Sequence, residues 1–200
     1  MRYYILLIFY SLSIYSQEFK IPRFQFMETF EIFDGINPYA KSLNLNDKNS
    51  LIIKSSSSNY WFGGEYIDFL VFQNDGKIFK YGMFVTSNND KSKIKSKEIK
   101  RNKIKIIYYK YLEDLFLNNK LDINKELLKI KEKPNENGTV STMTISDSVN
   151  EYYEITQGNQ TTYFSFYSVH SYINENYPGI EDKKKFANLI SNFEKLINEN

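Results

Sequence analysis

The chain holds a single histidine, His170, and no cysteine. Those two counts remove most of the common chemistries. Without cysteine there are no disulfides, no thiolate metal sites, no Cys nucleophile and no lipid attachment through an N-terminal Cys. A Ser-His-Asp triad would have to use His170, and no Gly-x-Ser-x-Gly elbow precedes it. A zinc centre needs several ligands at recognisable spacing, and the chain shows none. It also lacks a glycine-rich phosphate loop and a dinucleotide fingerprint. The run from Asn44 to Asn49 is rich in side-chain oxygen, but it lacks the glycine and the closing acid of a calcium loop. No cofactor and no metal is expected. Glu65 and Asp68 are the nearest acidic pair for glycoside hydrolysis. Three positions apart on a strand, they point to opposite faces and do not flank one bond. His170 reads as a structural or surface residue beside a strand end.

What remains is recognition. Tyr60, Trp61 and Phe62 are adjacent and are followed by Gly63 and Gly64. Three consecutive aromatics on a strand cannot all point inward, so at least one is exposed or covered by another element. They form either a stacking platform for a sugar ring or a partner's apolar side chain, or packing on both faces of a central strand. From Lys91 to Lys105 the chain carries eight basic residues and one acid. Such a run contacts an anionic surface, or forms a solvated edge whose lysines discourage pairing with another sheet. The candidate binding residues are therefore Tyr60, Trp61, Phe62, Lys93, Lys95 and Lys97. A net charge of +2 argues against nucleic acid as the partner.

The elements that must position these residues are partly legible. Glu65 to Thr86 reads as a β-hairpin about Asn74-Asp75-Gly76. A three-residue loop with Gly76 left-handed puts Ile67, Phe69, Val71, Phe79, Tyr81, Met83 and Val85 on one apolar face, with Asp68 and Lys80 on the other. Leu51 to Lys54 reads as a short strand, followed by a flexible connection over Ser55–Ser58. Ile104, Ile107, Tyr108, Tyr111, Leu112, Leu115 and Phe116 are spaced as the apolar stripe of a helix over 103–118, with Asn102 as N-cap. A short helix starts near Asp122 or Asn124. Thr139 to Ser168 reads as a three-stranded meander. Val169, Tyr172 and Ile173 suggest a short helix ending near Pro178-Gly179. Phe186, Leu189, Ile190, Phe193, Leu196 and Ile197 mark a last helix over 182–198, with acids at its start and Lys195 near its end, as the helix dipole favours.

Hydrophobic residues make up 42% of the chain and aromatics 17%, enough for a substantial core. The expected fold is α+β: an antiparallel sheet built from hairpins, with two or three amphipathic helices packed mainly on one face. Met1-Arg2, the apolar run Tyr3–Ile14 and the small residue Ser16 have the outline of a signal peptide. The expected organisation is a leader over 1–16 and a single domain over 17–200, exported to a periplasm or secreted. No integral membrane segment is expected after signal removal. The functional expectation is an exported, non-catalytic binding protein that recognises a protein or glycan partner, toxin neutralisation being one form of this. The alternative is a small exported hydrolase whose carboxylates cannot be paired from sequence. N-terminal sequencing of exported protein should begin near Gln17; an intact Met1 terminus on cytoplasmic material would exclude the leader.

Overall fold

A computed structural model describes residues 50–59, 63–86, 94–118, 120–158 and 160–199. The strands of the main sheet are β1 (Leu51–Asn59), β2 (Gly64–Phe72), β3 (Ile78–Thr86), β4 (Lys95–Glu98), β7 (Asn150–Gln157) and β8 (Gln160–Tyr167). They form an antiparallel six-stranded sheet in the order β4-β3-β2-β1-β7-β8. Strands β5 (Glu132–Pro134) and β6 (Val140–Thr142) make a separate two-stranded ribbon. The described helices are α1 (Asn102–Leu117), α2 (Lys125–Leu128), α3 (Val169–Asn174) and α4 (Ile180–Asn198). This is the expected α+β mix.

The β2–β3 hairpin takes the three-residue loop and the expected register, with Ile67 opposite Met83 and Phe72 opposite Ile78. Gly76 has φ 75°, and its amide donates to the Gln73 carbonyl at 2.9 Å. Only glycine adopts that conformation without steric cost. The wholly apolar face is buried, with Ile67, Phe69 and Val71 each at most 1% exposed. The helices, however, pack on the opposite face, the one that carries Asp68 and Lys80. There Leu70, Phe72 and Ile78 join one large core with residues of all four helices. Both faces of the hairpin are therefore buried near its turn, and the acid and the lysine lie farther along.

Four local readings are corrected. The serine run is not a flexible connection: β1 continues through it to Asn59, bonded to β2 on one edge and β7 on the other. Ser55 and Ser56 are only 8% and 5% exposed. A central strand draws its backbone bonds from two neighbours, which outweighs the poor strand preference of serine. The predicted meander loses its first strand, because β6 pairs back onto β5 across Glu136-Asn137-Gly138. Asn102 is the first helical residue, and Arg101 takes the cap position without a side-chain bond. Ile107, placed on the buried stripe, is 43% exposed; Tyr108, Leu112 and Leu115 carry the stripe instead.

Helix α4 is the keystone of the covered face. Phe193 is 1% exposed and meets the Tyr153 ring edge-on at 5.9 Å. The Tyr153 hydroxyl is bonded to that of Tyr111 on α1 at 2.6 Å. Lys183, fully buried, donates to the carbonyls of Pro178 at 2.7 Å and Leu127 at 3.1 Å, which satisfies a charge that burial would otherwise make costly. Asn124 caps α2 through bonds from the amides of Glu126 and Leu127, and its own amide donates to Asp182. Phe193→Ala should cost about 3–5 kcal/mol by leaving a cavity between α4 and β7. Phe193→Asp should abolish cooperative melting by circular dichroism; a wild-type melting curve for either variant would contradict this docking.

Candidate functional site

Cross-strand partners share a sheet face, so the register places the polar residues of the helix-covered face in rows. One row near the β1–β2 connection runs Phe84, Tyr66, Ser57, Glu151, Phe166 across β3, β2, β1, β7 and β8. The next row runs Gly82, Asp68, Ser55, Tyr153, Phe164. Neighbours in a row lie about 4.8 Å apart, and the rows are separated by about 6.7 Å. The two serines thus form a low floor, with Asp68 on one side and Glu151 on the other.

Small residues shape the site. Gly82 sits beside Asp68, and a Cβ there would lie 3.0 Å from the Asp68 Oδ1. Gly64 sits under the Phe84 ring, where a Cβ would meet both that ring and the Val85 carbonyl. Its lack of a side chain lets the Phe84 ring lie close to the backbone. Tyr66 then stands beside Phe84 with ring centres 4.6 Å apart, and remains 56% exposed.

The helices close one side. Phe193 fixes α4 over Tyr153, and its neighbour Glu194 is exposed above the floor. Farther along, Lys80 donates to the carbonyls of Ile197 and Glu199, each at 2.6 Å, and caps the end of α4. One face of that helix, through Ser191, Glu194, Lys195, Asn198 and Glu199, lines an open depression of about 560 Å³. His170 is exposed in the first turn of α3.

The carboxylates are perturbed. Burial pushes the Asp68 carboxyl above its ordinary value of 3.8; Glu194 adds to this, and Lys80 opposes it. Burial likewise raises Glu151 above 4.5, opposed by His170 and reinforced by Glu194. Glu151 is 8% exposed, and its Oε2 is buried without a hydrogen-bond partner among the described residues. A native buried oxygen in that state requires an explanation. Among the described residues, no three His, Asp or Glu side chains are placed to hold a metal ion.

The residues expected from sequence divide sharply. Tyr60, Trp61, Phe62 and Lys93 lie outside the described residues. Lys95 and Lys97 are exposed on β4, the edge strand, opposite Gly82 and Lys80. Glu65 and Asp68 do face opposite sides of β2, as their spacing required. The residues that sequence reasoning missed are Glu151, Glu194, Tyr66 and Phe84. In E-Y-Y-E-I-T, the signal for Glu151 is its phase, because it alternates with Tyr153 and Ile155, both fully buried.

No protein-family model matches this chain, and no curated protein shows significant similarity to it. The folded protein holds the Asp68 and Glu151 protons to higher pH than the unfolded chain does. Their contribution to stability is therefore present below the unfolded values of 3.8 and 4.5, and is lost as pH rises through the folded values. Glu151→Gln should remove its share of that loss, so that the variant gains melting temperature relative to wild type over the range of pH that rises from 4.5. Parallel curves over that range would show that Glu151 does not titrate differently on folding.

Proposed function

We propose that this chain is an exported, non-catalytic binding protein that recognises a protein partner through the open end of its helix-covered sheet face. The observation that carries the reading is the exposed Tyr66 ring, 56% exposed, set against Phe84 beside a floor of small residues and carboxylates. Large rings at the centre of an interface supply much of the binding energy when a partner covers them. The basic edge at Lys95 and Lys97 borders the same face, where it steers encounter with an acidic portion of the partner. Tyr60, Trp61 and Phe62 stand in the connection between β1 and β2, next in sequence to this end of the sheet. Toxin neutralisation is one form of such binding.

Hydrolysis is the rival reading, and one observation favours it. Asp68 and Glu151 share a face, and both are held toward the protonated form. A carboxylate pair of this kind could flank a glycosidic bond. The depression along α4 beside them is open and does not exclude water around a reacting bond. Binding accounts for the same carboxylates with fewer requirements.

The test begins with capture of a partner from the exported fraction of the source cells, followed by surface plasmon resonance with purified components. Tyr66→Ala should weaken binding by about 2 kcal/mol with an unchanged melting temperature. Lys95→Gln with Lys97→Gln should slow association at low salt and leave dissociation nearly unchanged. Saturable binding to an oligosaccharide array, lost in Tyr66→Ala, would replace the protein partner with a glycan. Release of reducing sugar, lost in Glu151→Gln, would establish the hydrolase instead.

A further inference from the structure

Resting on the binding reading above, we infer that Glu151, with Glu194 beside it, receives a cationic side chain, an arginine guanidinium or a lysine ammonium, of the protein partner. The first support is the orphaned oxygen. Glu151 is more than nine-tenths buried, and its Oε2 has no hydrogen-bond partner among the described residues. The second is the company it keeps. Glu194, on α4, is close enough to Glu151 and to Asp68 to disfavour the charge of both. A neutral hydroxyl could bond to the free oxygen but would leave that repulsion in place. A cation satisfies the oxygen and relieves the repulsion together, which is why charged ligands are preferred over sugar hydroxyls here.

The surroundings fit a long, charged side chain. The register sets Ser57, a small residue, between Tyr66 and Glu151, and the inferred approach of the guest is from the Tyr66 end of the row. The Tyr66 ring offers an apolar face along which the stem of an arginine or lysine lies, and its π-face favours a passing cation. Among the described residues, existing positive charge does not fill the place. Lys80, on β3, spends its donors on the carbonyls at the end of α4. His170, on α3, influences Glu151 through space, and no hydrogen bond joins the two. The absence of a three-ligand cluster among the described residues leaves a side-chain cation, not a protein-held metal ion, as the matching guest.

Protons and the guest compete for Glu151, so affinity rises as pH rises. Burial also holds the Asp68 proton to higher pH than usual, and its loss in the same direction favours the incoming cation. The test is an NMR titration of the 15N-labelled protein with N-acetyl-arginine methylamide, its uncharged citrulline counterpart, spermidine and a neutral oligosaccharide. The arginine compound should shift the amides of Glu151, Ser57 and Tyr66 saturably, and the citrulline compound should bind at least tenfold more weakly. Glu151→Gln should weaken the arginine compound at least fivefold while the remaining amide spectrum stays in place. Should that variant fail to fold, Glu194→Gln, altered on an exposed helix face, should still weaken it at least twofold. Equal binding of citrulline and arginine, or undiminished binding by the folded Glu151→Gln, overturns the inference. Spermidine binding tenfold tighter than the arginine compound would assign the site to a free polyamine and overturn the partner side chain. An oligosaccharide that saturates the same amides while the arginine compound does not would overturn the cation and leave the binding reading standing. That reading falls separately, if Tyr66→Ala leaves partner affinity intact.

Discussion

The fold depends on β1 being bonded along both edges. The hairpin unit β2–β3–β4 and the hairpin β7–β8 touch no common strand except β1. Its register with β2 sets which residues of the first unit share a face with those of the second. Because side chains alternate, a slip of one residue on either edge would move Asp68 and Glu151 to different sides of the sheet. Leu51 and Ile53, fully buried against the helices, hold the register in place, since a slip would withdraw them from that core and drive Lys54 into it.

That division of labour explains the composition of β1. Its first residues anchor it through apolar burial, and its serines need only fill space and pair their backbones. Lys54, 8% exposed, lies 4.7 Å from the centre of the Tyr152 ring and faces Glu154 across the strand pair, so a charge is accommodated on the face away from the helices. The small side chains at Ser55 and Ser57 keep the floor low between two acids. Apolar packing at one end of the strand gives way to small polar residues at the other within nine positions.

The sequence made the hairpin legible because two independent signals agreed: Asn74-Asp75-Gly76 demanded a left-handed glycine, and the apolar phase of both strands chose the register. Helix α4 was legible for the same reason, through a clean stripe and charges that suit its dipole. The serine run misled because strand preference is a weak property that two bonded neighbours override. The β5–β6 ribbon was missed because Gly138, with φ 79°, closes a local turn over three residues, and a local closure costs less entropy than a longer one. The site was the least legible part. Asp68 was named, but its companions come from β7 and α4, far along the chain, and their approach is set by tertiary packing that no local pattern encodes. Glu151 carries one faint mark, a charge in the phase of Tyr153 and Ile155, and such a mark reads equally well as a solvated edge.

The pairing of β1 with β7 also bears on how the molecule forms. Leu51 lies opposite Gln157, so this ladder joins segments separated by about a hundred residues, and contacts of such range slow folding. The β2–β3 hairpin closes over three residues and can assemble within microseconds. Strand β1 can join it at once through β2, but its other edge must wait for β7 to arrive. Until then the serine-rich edge stands open, and serine hydroxyls that compete for backbone groups make it a poor template for foreign strands. A low-preference sequence on a strand whose second partner lies so far along the chain leaves an edge that favours foreign pairing less than an apolar one would.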